Sequence, residues 1–159
     1  FERHMGQAPR GDASIIWNQY YQTMMGLVEA GGFDILCHFD LVKKNNSGGR
    51  WFDEESPAYL DAAFSVVDRA AELDIVAEIN TGGLARGSTN SPYPSPSILR
   101  RMREVGLRLT IGDDAHSPEH LGNYRKAAVE AARAAGYTSF WYLDDVLSWK
   151  EIGLDESIK

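Results

Sequence analysis

Two histidines each stand two residues from an aspartate: His38 before Asp40 in "CHFD", and His116 after Asp114 in "DDAH". Each pair follows an apolar run, and a third such run carries Glu78 and Asn80 in "AEIN". Neutral imidazole and carboxylate are ligands for Zn, Mn or Fe, and residues two apart at a strand end share a face. A cation held there lowers the pKa of bound water from about 15.7 toward about 7, making hydroxide available near neutrality. The residues alone leave other readings open. His38 reads equally as a core histidine bonded to Asp40, and Asp114 and His116 can cap a following helix, although Ser117 suits that role better. Glu78 lies inside an apolar strand, where an unpartnered carboxylate is costly. A metal, an arginine or a backbone N–H would each satisfy it. Arg86, in the loop "TGGLARG", has the planar fork that grips phosphate through two bonds, though a loop arginine is ordinarily solvated. Asp144 and Asp145 read as a solvated turn, His4 and His120 as surface residues, and Cys37 as a buried packing residue.

These residues fall at the ends of an alternating series of elements. Apolar spacing through Ile16, Tyr20, Met24, Leu27 and Val28 predicts a helix over 14–30, stopped by Gly31–Gly32. "FDILCHFDLV" reads as a buried strand. Ser56–Pro57 opens a second helix with Leu60, Phe64, Val67 and Ala71 inward. "DIVAEIN" is the next strand, followed by a long Gly-, Ser- and Pro-rich loop of the kind that serves a site. Ser95–Pro96 caps a third helix with Ile98, Leu99, Met102 and Val105 inward, and "LRLTIG" is the third strand. A helical region from Ser117–Pro118 becomes regular after Asn123 and ends at Gly136; "TSFWYLDD" is the fourth strand, and the tail from Leu147 is weakly patterned. Alternation of this kind predicts parallel strands, whose carboxyl ends face one rim.

The totals narrow the classes. A chain of 159 residues, 43% hydrophobic and 25% charged, suits one globular domain with a real core. A net charge of −7 argues against a nucleic-acid groove or an anionic membrane surface. The single cysteine rules out an internal disulfide and makes a reducing cytoplasm the default. Residues 1–13 read as an irregular segment, a loop remnant of a longer protein, and 14–159 as part of one domain.

Three stretches, taken in order, carry a resemblance. "FDILCHFDLVKKNN", "AEINTGGLARG" and "PYPSPSILRRMREVGLRLTIGDDAHSPEHLG" resemble the histidinol-phosphatase branch of the PHP (polymerase and histidinol phosphatase) superfamily, over about Phe33 to Gly122. That branch has G-H-x-D-L, then E-x-N-x-x-G-x-R with Y-P-x-P, then S-D-A-H-x-P. The resemblance implies a distorted (β/α)7 barrel of α/β class, of which this chain supplies about four C-terminal β/α units. It implies two to three divalent metal ions at the carboxyl rim, with His38, Asp114 and His116 as ligands. Asp114 and His116 would be catalytic, Arg86 would meet the substrate phosphate, and Asp40, Glu78, Asn80 and Asp113 would stand at the rim behind them. The implied activity is phosphomonoester hydrolysis by metal-activated hydroxide, with histidinol phosphate as substrate. Rival readings are a PHP-type phosphoesterase acting on nucleotides or other small phosphates, and a non-catalytic fragment serving as an assembly partner. The branch's H-x-H and its next histidines and glutamate have no counterpart here. They belong to an N-terminal segment that would complete the site. Cys37 stands where the branch often has Gly, and Asp113 where it often has Ser.

Overall fold

Residues 13–44 and 46–155 are described by a computed structural model; His4 lies outside them. Helix α1 (Ser14–Ala30) occupies its predicted span and packs on α2 (Pro57–Glu72). Both helices bury part of the predicted line, Met24 and Val28 on α1 and Val67 on α2, with the rest of the buried face turned one residue round. On α1 the buried line is Trp17, Tyr21, Met24 and Val28, and Leu27 is 49% exposed. On α2 it is Tyr59, Ala63, Val66, Val67 and Ala70, with Leu60 and Phe64 only partly covered. The aromatic column prevails because rings bury more area, and because the buried Tyr21 hydroxyl can donate to that of Tyr59 at 2.9 Å. Trp17 meets Tyr59 edge to face, their centroids 5.8 Å apart.

The first strand is far shorter than its apolar run. Only Ile35–Leu36 pairs (β1), after which His38 adopts φ 32° and Leu41–Lys43 forms a 3-10 turn. The hydrophobicity of the remainder serves burial rather than a ladder: Phe39 is fully covered, and its carbonyl accepts a 2.9 Å bond from the Tyr20 hydroxyl. Strands β2 (Val76–Asn80) and β3 (Arg108–Gly112) follow as predicted. The parallel order is β1-β2-β3, with Leu36 opposite Ala77, Glu78 opposite Thr110 and Asn80 opposite Gly112. The long loop after β2 contains one helical turn, α3 (Gly82–Ala85), and leads to α4 (Pro96–Glu104), which buries Ile98, Leu99 and Met102 as expected. A 3-10 turn at Pro118–His120 precedes α5 (Arg125–Ala134).

The fourth strand departs from the alternation. Strand β4 (Ser139–Leu143) pairs antiparallel with β5 (Trp149–Gly153), formed by the tail that reads as weakly patterned. A parallel return needs a crossover of about a dozen residues or more, whereas only the Asp144–Ser148 turn separates these two strands. The described residues therefore form a mixed α/β fold with a three-stranded parallel sheet and a hairpin beside β3, and no closed barrel. Among them no helix is long and apolar enough to cross a membrane.

Candidate functional site

Strand alternation puts Glu78, Asn80, Thr110 and Gly112 on one face of the sheet. Glu78 is the hub. Its Oε2 accepts the His38 backbone N–H at 3.1 Å and the Asn80 side-chain amide at 3.0 Å. The other carboxylate oxygen lies over Gly112, where a Cβ would collide with it. The partners that satisfy Glu78 are thus an N–H and an amide, with Cys37 beside them. Asn80 passes the ordering on: its Oδ1 accepts the Gly82 N–H at 2.9 Å and so fixes the start of α3. One helical turn later, the Arg86 N–H closes on the Gly82 carbonyl at 3.1 Å, which returns the Arg86 side chain toward the end of β3.

There Arg86 meets two of the predicted residues. Arg86 Nη2 donates to Asp114 Oδ2 at 2.5 Å, Nη1 donates to the Asp114 carbonyl at 3.1 Å, and Nη1 lies 3.3 Å from His116 Nδ1. His116 Nδ1 is also 2.8 Å from the Asp114 carbonyl. That nitrogen accepts from Arg86 or donates to Asp114 according to which tautomer carries the proton. Asp114 holds φ 50°, a left-handed conformation that suits a short polar side chain. Gly82 makes the packing possible, since a Cβ there would stand 2.6 Å from Arg86 Nη2 and 2.7 Å from Asp114 Oδ2. The His116 side chain is 66% exposed.

Other predicted residues lie apart from this cluster. Asp113 closes its own loop, accepting the Ala115 N–H at 3.1 Å and the Gly122 N–H at 2.7 Å. Asp40 lies beneath the rim. It is fully buried, and its Oδ2 takes Lys43 Nζ at 3.1 Å and the Ser95 N–H at 2.8 Å. The 3-10 turn that ends the first apolar run sets Lys43 three residues on, over its partner. The alternative of a core histidine bonded to Asp40 is not seen: Asp40 Oδ1 has no hydrogen-bond partner among the described residues. Cys37 is exposed, not buried, because the strand ends one residue before it. His120 is half-buried on its 3-10 turn rather than at the surface. Asp144 forms the expected turn, accepting the Val146 and Ser148 N–H groups. Sequence reasoning missed Lys43, Gly82 and Gly112. The Asp40–Lys43 spacing is a signal for an ion pair; nothing in the sequence marks which glycines make room.

Imidazole and carboxylate are suitable donors for a divalent cation. Yet among the described residues no three His, Cys, Asp or Glu side chains converge so as to hold one. The Asp114 carboxylate is also engaged by Arg86. By themselves, these residues do not fit a metal centre.

The sequence matches proteins that bear on this arrangement. It is 30% identical over 125 residues to a probable histidinol-phosphatase of Deinococcus radiodurans, covering 79% of this chain and 45% of that protein. This chain is similar to phosphatases. It is 25% identical over 107 residues to a probable phosphatase of Photobacterium profundum, and 26% over 106 residues to one of Shewanella loihica. Each of those alignments covers 67% of this chain and 37% of the relative. The chain thus spans less than half the length of the relatives it matches. No family model matches it.

Proposed function

We propose that the protein is a metal-dependent phosphomonoesterase whose preferred substrate is histidinol phosphate. The observation that carries this reading is the placement of Arg86 beside Asp114 and His116 at the carboxyl ends of parallel strands, the end where α/β enzymes bind ligands. A guanidinium there supplies two parallel donors for phosphate oxygens, in a molecule whose net charge of −7 otherwise repels an anion. His116, open to solvent, presents its imidazole beside Asp114 at the same strand end. Glu78 and Asn80 position Arg86 through α3. The proposal includes two to three Zn, Mn or Fe ions, with His38, Asp114 and His116 as ligands and further donors from outside the described residues. The Deinococcus relative's name supports histidinol phosphate; the plainer names of the others favour testing further small phosphates beside it.

The test is phosphate release by the full-length protein from histidinol phosphate, nucleoside monophosphates and sugar phosphates. Turnover should be fastest with histidinol phosphate, should cease after chelation and recover with Mn²⁺, and should fall about 100-fold or more in His116→Ala. Turnover indifferent to both chelation and His116→Ala refutes the proposal.

A further inference from the structure

The turn that carries Arg86 is backed by a side chain that the hydrogen bonds of the site leave out. A Cβ on Gly83, the second residue of α3, would meet Tyr93 Cε2 at 2.8 Å and Cζ at 3.0 Å, so the ring lies directly against the backbone of that turn. Tyr93 is 1% exposed. Its backbone exchanges both hydrogen bonds with Asn80: the Asn80 N–H donates to the Tyr93 carbonyl at 2.7 Å, and the Tyr93 N–H donates to the Asn80 carbonyl at 2.9 Å. Tyr93 thus holds Asn80 before the turn and Gly83 within it.

Tyr93 is itself clamped on both flanks. Lys43 Nζ donates to the Ser91 hydroxyl at 3.1 Å and the Pro92 carbonyl at 2.9 Å, and lies 5.3 Å from the Tyr93 ring centroid. Asp40 accepts the Ser95 N–H two residues further on. The Tyr93 hydroxyl has no hydrogen-bond partner among the described residues, which leaves the holding to the ring. Arg86 keeps guanidinium N–H groups beyond those given to Asp114, and a fork serves phosphate only where it is aimed. A misplacement of about 1 Å can cost about 100-fold.

We propose that Tyr93 is a positioning residue for the phosphate contact: its ring, held by the buried Asp40–Lys43 pair, backs the turn that aims Arg86. This rests on the phosphatase reading and adds to it a residue that acts through Arg86 without touching substrate.

The test is a double-mutant cycle, read by calorimetric titration of the full-length protein with inorganic phosphate in the Mn²⁺ buffer of the activity assay. Circular dichroism and urea unfolding establish that each variant folds. Arg86→Ala should weaken phosphate binding about tenfold or more, the loss expected for charge-assisted bonds. Tyr93→Leu should weaken it about three- to tenfold, and Tyr93→Phe, which keeps the ring, should match wild type. Added to Arg86→Ala, Tyr93→Leu should cost less than about twofold more, because nothing is left for the ring to aim. A merely structural residue would cost the same in both backgrounds. If Tyr93→Leu does not fold, Tyr93→Met takes its place in the same cycle. Unchanged affinity in the ring-deleted variant, an equal loss with and without Arg86, or a Tyr93→Phe loss as large as that of Tyr93→Leu overturns the inference and leaves the phosphatase reading standing. Phosphate binding as tight in Arg86→Ala as in wild type overturns both the inference and the phosphate role of Arg86 on which it rests.

Discussion

Cys37 is exposed and yet poorly disposed to react. Partial desolvation first, and the neighbouring Glu78 carboxylate second, push its thiol up to about 11. A thiolate beside a carboxylate suffers repulsion, whereas the neutral thiol can donate to it. Since thiolate is the nucleophile, only about one thiol in a thousand is reactive at pH 8. Modification by a disulfide reagent should therefore be slow at pH 8, rise steeply toward pH 11, and quicken at pH 8 in Glu78→Gln. A stopped-flow pH profile checks this, and fast modification of the wild type at pH 8 would contradict it. The same Glu78 that quiets Cys37 organises Asn80 and, through it, Arg86, so one carboxylate sets the chemistry of two neighbours. The sequence exposed Glu78 as a charge that must find a partner, but not which one. Its partners lie on Asn80 and on the His38 backbone, the latter 40 residues away.

At the level of elements, helix spans were legible because their start signals are local. Ser56–Pro57 and Ser95–Pro96 open α2 and α4 at the predicted residues, and Gly31 ends α1. The inward faces were less legible, since neighbouring columns on α1 and α2 are both apolar and the choice lies with whatever packs against them. Strand partners were the least legible. Strand β4 has the composition of any β-strand, and only its short turn sends it into a hairpin. That hairpin is fastened to the parallel sheet by Arg108 of β3, whose guanidinium sits 5.3 Å from the Trp141 ring centroid and 5.7 Å from that of Trp149. Arg108→Ala should quicken amide exchange in Ser139–Leu143 and Trp149–Gly153 while sparing Val76–Asn80, at a global loss of about 1–2 kcal/mol. Uniform acceleration across both sheets would show that the hairpin is not a separable unit.

For the whole molecule, the decisive polar feature is the buried Asp40–Lys43 pair. Lys43 is 2% exposed and bonds Asp40, the Ser91 hydroxyl and the Pro92 carbonyl, while Asp40 also holds the Ser95 N–H. Between them they join the turn after β1 to the loop that leads into α4. Asp40→Ala would leave an ammonium buried without its counter-ion, and should cost about 3–5 kcal/mol in urea unfolding. Asp40→Asn, which retains an acceptor for Ser95, should cost less. Equal stability of Asp40→Ala and wild type would show that the pair contributes nothing.

By itself, the sequence determined the spans of α1, α2 and α4, the strands β2 and β3, and the placing of Asn80 at the end of β2 and of Asp114 and His116 just after β3, because period and helix-start signals act over a few residues. Tertiary structure alone decided that β1 stops at Leu36, that β4 turns back, that Asp40 is buried against Lys43, and that Arg86 grips Asp114. Each of those outcomes depends on competition among groups far apart in the chain: which carboxylate the nearest cation reaches, which apolar column finds a facing surface, and which glycine leaves room. In "LTIGDDAHSPEHLGN", the sequence showed that a carboxylate and an imidazole follow a strand; only the fold showed that Arg86 reaches Asp114.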